Sequence, residues 1–156
     1  MARIEETPWL DAREQRAWRG YRRLRLLVDT RIARDLGLDS GLSDPDYDVL
    51  SELSEAEGHR RRLGELAERM LWSQSRMSHH VKRMQQRGLV RRAECAGDGR
   101  GAEIVLTETG LRTIEEAAPR HVASVRRNLI DLLTDEQIAM LEEIADTVVR
   151  RIDEPR

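Results

Sequence analysis

The stretch SQSRMSHHVKRMQQRGLV, residues 73–90, carries the most structural information in the chain. Met77, Val81 and Met84 recur at helical spacing and define one inward-facing stripe. Ser75, Arg76, His79, Lys82, Arg83 and Gln86 fall on the opposite face. No carboxylate occurs anywhere from Arg69 to Ala93, so that outward face is polar and cationic throughout. Ser73 is placed to cap the helix N-terminus, and Gly88 stands just past its end, where a left-handed residue closes a helix. His80 turns toward the edge of the apolar stripe, where packing is its expected role.

Working outward, LGELAERM (63–70) reads as a short helix and Trp72-Ser73 as the tight turn that joins the two. LVRRAEC (89–95) and AEIVLT (102–107) read as two strands joined by the Gly-rich turn AGDGRG, a β-hairpin. HRRR (59–62) is short and extended at best. Toward the N-terminus, Trp18, Tyr21, Leu24, Val28 and Ile32 step by three or four, which predicts one long amphipathic helix from Leu10 to about Leu38. DLGLDSGLSDP ends it, and Ser43 with Asp46 forms a capping box that opens the next helix, which stops before Gly58. Toward the C-terminus a second long helix is expected from Thr107 to about Leu133, kinked where Pro119 removes a backbone donor. Thr134 and Gln137 make another capping box, and Ile138, Leu141, Ile144, Val148 and Ile152 mark a last amphipathic helix.

Composition narrows the function classes. The 156 residues are 39% hydrophobic and 36% charged, with no Phe, so the core must be aliphatic. No apolar run approaches membrane-spanning length and no secretory signal is evident, so a cytoplasmic, nucleoid-associated protein is expected. A single Cys95 excludes an internal disulfide and a thiolate zinc site. The net charge of −2 conceals an asymmetry: residues 58–101 hold 11 Arg or Lys against four acids, a balance of +7, whereas the remainder carries −9. A basic centre framed by acidic flanks suggests a polyanion-binding module on a carrier that avoids the polyanion. No phosphate-binding loop, nucleophile elbow, HExxH or CxxC spacing is present, so an enzyme is not expected, nor a cofactor or bound metal.

Short helix, turn, second helix and hairpin is the order of a winged helix-turn-helix: mainly α with a small β-hairpin, an α+β class. Its second helix matches the major groove, about 12 Å wide, and its hairpin reaches the neighbouring minor groove or backbone. Ser75, Arg76, Ser78 and His79 lie toward the N-terminal half of the helix, where side chains reach base edges and an arginine can donate two bonds to guanine, while the free N–H groups near Ser73 offer an anion site. Lys82, Arg83, Gln86 and Arg87 lie further along, placed for phosphates, and the strand residue Arg91 is a further candidate DNA contact. Arg100, between two glycines at the hairpin tip, has the reach to enter a minor groove, with Asp98 beside it to orient a guanidinium.

The chain resembles the MarR family of bacterial transcriptional regulators over about residues 10–153. The resemblance rests on LSDPDYDVLSEL (42–53), LGELAERM followed by SQSRMSHHVKRMQQRGLVRR, and DGRGAEIVLTETG (98–110). The last fits the family's wing pattern at Asp98, Arg100, Ile104, Leu106 and Thr107. Ser78 and His79 stand where relatives often carry Thr and Arg, so operator preference does not transfer. The resemblance implies a homodimer: residues 10–40 and 107–153 supply interlocking dimerisation helices, and 42–106 form the winged DNA-binding domain, with recognition helix about 73–87 and wing about 89–106. It also implies a repressor on a pseudo-palindromic double-stranded operator, and a small aromatic effector between the dimer helices and the winged domain, for which Trp18, Tyr21, Tyr47, His59 and Trp72 are candidate contacts. Two other readings stay open. A winged domain can serve as a protein-interaction scaffold without specific DNA binding, and Cys95 could make the regulator redox-responsive. The basic, carboxylate-free face separates DNA binding from docking, because docking faces more often expose apolar anchors.

Overall fold

The computed structural model describes residues 8–94 and 101–153; the expectations placed on Cys95, Asp98 and Arg100 lie outside the described residues. Helix α1, Ala12–Ser40, starts at a capping box in which Asp11 accepts from the Arg13 and Glu14 amides while Glu14 accepts from the Asp11 amide. It stops at Gly41, whose φ of 68° is left-handed. The Ser43–Asp46 capping box forms as expected and opens α2, Asp44–Ser54. Helix α3 spans Leu63–Arg69, and α4 spans Gln74–Gln86 with Ser73 accepting from the Arg76 amide at 3.2 Å. Gly88, at φ 74°, ends the turn beyond α4. Strands β2, Val90–Glu94, and β3, Ala102–Leu106, pair antiparallel, and α5, Glu108–Asn128, and α6, Asp135–Asp153, follow.

The hairpin gains a third strand. Arg60–Arg62 forms β1 and pairs with the outer edge of β3, Arg61 opposite Ile104, giving the sheet order β1-β3-β2. Three consecutive arginines carry no apolar alternation, so propensity could not announce a strand. Tertiary partners hold it instead: Arg61 pairs with Glu52 and Glu65, and Arg60 lies 3.5 Å from Glu103.

Pro119 sits inside α5, which runs on through it as one continuous helix. The acceptor it leaves idle is the Glu115 carbonyl, and both residues sit on the exposed side, where water can replace the lost donor. The helix ends at Asn128, and a short 3₁₀ turn, Ile130–Leu132, replaces its expected last turn.

One core unites the winged module. Met77, Val81 and Met84 of α4 are fully buried against Val49, Leu50 and Leu53 of α2, Leu66 of α3, and Val90 and Ile104 of the sheet. Ile114 and Ala117 of α5 and Leu36 at the end of α1 close it from the other side. The rest of α1 and all of α6 contribute no buried side chain. Trp18, Tyr21, Leu24 and Leu27 on α1, and Leu141, Ile144, Val148 and Ile152 on α6, form apolar stripes left uncovered within one chain. Among the described residues, no helix is long and apolar enough to cross a membrane.

Candidate nucleic-acid interface

The outward face of α4 presents Ser75, Arg76, His79, Lys82 and Arg83, all exposed, on a helix whose opposite face is locked into the core. Ser73 is exposed at its N-cap, where free amides favour an anion. Arg76 lies over the Trp72 ring, with its guanidinium carbon 3.8 Å from the ring centre. Ser78 is half-buried because Arg92 of β2 reaches across, donating to the Ser78 hydroxyl at 2.7 Å and to its carbonyl at 3.3 Å. That bridge ties the wing to the recognition helix. Sequence reading passed over Arg92 in favour of Arg91, yet the two-residue strand period supplied the signal. Arg92 shares a face with buried Val90, the face turned toward α4, while Arg91 stays exposed on the other.

Below α4 lies a buried polar node that the sequence did not single out. Asp46, 4% exposed, accepts from the Ser43 amide at 3.0 Å and from Arg87 at 2.7 Å, and its other oxygen lies 3.2 Å from Nε2 of His80. Burial by itself would raise the Asp46 carboxyl; the contacts from His80, Arg87 and Ser43 outweigh it and hold the group far below the usual carboxylate range. Arg87 also donates to the Gly41 carbonyl at 3.3 Å. Expected at a phosphate, its side chain is engaged with the α1–α2 junction and braces the C-terminal end of α4. His80 is buried as anticipated, edge-on to Trp72 with ring centres 5.4 Å apart. His80 Nδ1 lies 3.1 Å from an Arg83 nitrogen.

The wing joins α5 through a tight contact. Thr107 donates its hydroxyl to the Gly88 carbonyl at 2.6 Å and to the Leu89 carbonyl at 3.0 Å, and accepts from the Gly110 amide at 2.9 Å. Gly110 is packed so closely on Leu89 that no side chain fits. The end of the recognition helix is thereby fastened to the long C-terminal helix.

Of the five aromatic and histidine candidates for an effector, the structure brings two together. Tyr47 and Trp72 line a cleft of about 260 Å³ with Asp48, Ser51, Glu52, Arg69 and Met70. Tyr47 also stacks on His121, ring centres 4.1 Å apart, a partner the sequence reading left aside. Burial raises the Asp48 carboxyl and the Tyr47 hydroxyl above their ordinary values. Trp18 and Tyr21 stack on each other on exposed α1, away from that cleft. His59 is exposed, with Nδ1 3.0 Å from the Ser54 carbonyl. Among the described residues, no group of three His, Cys, Asp or Glu is arranged to hold a metal ion.

A helix-turn-helix braced by a three-stranded wing, with a cationic and carboxylate-free outer face, defines a winged-helix DNA-binding protein. Comparison with known proteins specifies the class further. A family model described as the MarR family matches residues 40–101. The crystal structure of AbsC, a MarR family transcriptional regulator from Streptomyces coelicolor, is 42% identical, with a TM-score of 0.90 over 96% of this chain and 100% of that one. Sco3205, a MarR family transcriptional regulator from the same organism solved in complex with DNA, is 37% identical, with a TM-score of 0.90 over 96% of this chain and 93% of that one. Sco5413, another MarR family regulator from that organism, is 16% identical at a TM-score of 0.77 over 94% of this chain and 100% of that one, a likeness of fold alone. None of the curated proteins compared with the chain matches it. The chain belongs to the MarR family of transcriptional regulators.

Proposed function

We propose that the protein is a homodimeric, sequence-specific repressor that binds a pseudo-palindromic operator in the nucleoid and is released by a small aromatic ligand. The observation that carries the DNA reading is the outer face of α4, where Ser75, Arg76, His79, Lys82 and Arg83 stand exposed with no acid among them. The DNA complex of the 37%-identical regulator supports it. Base reading falls to the N-terminal half of the helix, and phosphate gripping to Lys82, Arg83 and Arg91. Arg100 and Asp98 are assigned to the wing tip on the family's motif.

Dimerisation is supported by the uncovered apolar stripes of α1 and α6, which a second copy would bury. Two-fold symmetry then requires half-sites about 10 bp apart. Six to ten neutralised phosphates would give a log–log salt slope of roughly −5 to −9. The cleft between Tyr47 and Trp72 is the place for an aromatic ligand that this chain best supports, since it abuts both the core of α2 and the ring beneath Arg76.

Selection of duplexes from a random pool at moderate salt tests the proposal. The expected result is an enriched palindrome with the stated spacing. Recovery of no common sequence by the wild-type protein would leave the winged domain as an interaction scaffold.

A further inference from the structure

Arginines on the face of α4 differ from many of those elsewhere in the chemistry of their partners. Away from the face of α4, Arg60, Arg61, Arg69, Arg87, Arg126 and Arg127 each pair with a carboxylate. On or beside that face the partners are neutral: the Trp72 ring under Arg76, the Ser78 hydroxyl and carbonyl under Arg92, and the His80 ring nitrogen under Arg83. A carboxylate would orient a guanidinium but cancel the charge that draws a phosphate. A neutral acceptor orients it and leaves the charge intact.

We propose that buried His80 is a positioning residue for DNA recognition: its Nδ1 lone pair holds Arg83 in place on the outer face of α4, with the ring proton left on Nε2, on the side of Asp46. The inference rests on the DNA-binding reading above. A guanidinium can only donate, so the Nδ1 that faces Arg83 must accept, and the ring proton sits on Nε2, which lies 3.2 Å from Asp46 without an aligned hydrogen bond to it. The ring cannot readily turn away. Asp46 is itself anchored by Ser43 and Arg87, and Trp72 stands perpendicular to the imidazole at 88°. The charged groups around the ring are Asp46 from α2 and Arg83 and Arg87 from α4 and its C-terminal cap. Arg83 is exposed, so its remaining donors are free to meet a phosphate without first losing rotamer freedom.

The test is a double-mutant cycle read by DNA affinity, using the palindromic duplex enriched from the random pool. His80→Gln keeps a donor toward Asp46 but removes the acceptor at the Nδ1 position; His80→Asn keeps an acceptor there. His80→Gln should weaken binding about two- to tenfold, the value of pre-ordering one long side chain, whereas His80→Asn should retain most of the affinity. In an Arg83→Ala background the His80→Gln effect should fall to less than about twofold, because nothing is left to position. An equal loss in both backgrounds, or a His80→Asn protein as weak as His80→Gln, overturns the proposal. In the free protein, ¹⁵N shifts of the imidazole should report the Nε2-protonated tautomer and an Nδ1 shift that moves in Arg83→Ala. A proton on Nδ1 overturns it without any DNA. Loss of all duplex binding by the wild type instead sinks the DNA reading and the role of His80 with it.

Discussion

Replacing Gly110 by Ala tests the joint between the recognition helix and α5 at one atom. A Cβ there would sit 2.0 Å from the Leu89 carbonyl oxygen, 3.0 Å from the Leu89 carbonyl carbon and 2.8 Å from Leu106 Cδ1. The first two are backbone atoms, and the Leu89 oxygen is already held by the Thr107 amide at 3.2 Å and the Thr107 hydroxyl at 3.0 Å. Relief therefore requires the wing and α5 to move apart and those bonds to stretch. Overpacking of this kind costs about 1–3 kcal/mol, and each weakened hydrogen bond about 0.5–1.5 kcal/mol. Ala returns about 1 kcal/mol of helix propensity. The net loss is about 3 kcal/mol, which in a chain of this length lowers Tm by about 6–12 °C. Circular dichroism melts at fixed protein concentration measure it, since association would otherwise shift the midpoint. Gly20→Ala is the control: nothing lies within 4 Å of the point a Cβ would occupy there on exposed α1, so its Tm should hold or rise. A Gly110→Ala protein melting within about 1 °C of wild type would refute the close-packing argument.

Asp46→Asn should lose about 2–3 kcal/mol in urea titrations at pH 7, the scale of hydrogen bonds to a buried charged group. Because the folded carboxyl is depressed, its contribution is complete above the unfolded value near about 3.9 and is lost as pH falls below it. The gap between variant and wild type should therefore shrink below about pH 4, and a gap that persists undiminished there would contradict the assignment. Arg92→Ala, which removes the bridge to Ser78, should lower affinity for the selected duplex in anisotropy titrations while changing stability by less than about 1 kcal/mol, as for other exposed polar contacts. Unchanged affinity would show that the wing needs no tie to α4. Ile144→Asp with Val148→Asp, on the uncovered stripe of α6, should sediment as a monomer and bind DNA roughly 100-fold more weakly through loss of two-point attachment. A variant that stays dimeric at micromolar concentration would place the interface elsewhere.

Where the fold was legible, local chemistry and global packing agreed. The stripe of Met77, Val81 and Met84, the Ser43 and Ser73 caps and the glycine after α4 each carry a period or a stereochemical demand that a sequence displays directly. What stayed hidden depended on partners distant in the chain. Arg60–Arg62 is a strand because β3 offers an edge and Glu52, Glu65 and Glu103 stand nearby, none of which a run of three arginines can announce. At Pro119 the lost bond is legible in the sequence, whereas its solvent-facing side, which lets the helix run on, is not. The outward face of α4 was readable as a cationic surface, yet the fate of individual arginines was not. Arg83, Arg87 and Arg92 look alike in a sequence and differ by whether His80, Asp46 or Ser78 lies within reach. Asp46 was read as half of a capping box, and its second role became visible only when α4 packed over α2.

The stacking of Arg76 on Trp72 has an optical consequence. The chain has three tryptophans, and the other two, Trp9 and Trp18, lie exposed at the N-terminal end, far in sequence from the winged module. With those two changed to phenylalanine, the emission of the protein would come from a single indole whose face is covered by a recognition-helix cation. Were Arg76 to turn toward a base, as proposed, the indole would lose its cover and its spectrum would shift. The same ring borders the cleft shared with Tyr47, so an occupant there would also register. Such a protein would carry its own label, able to time the arrival of DNA, and of the proposed ligand, in one stopped-flow trace without a dye.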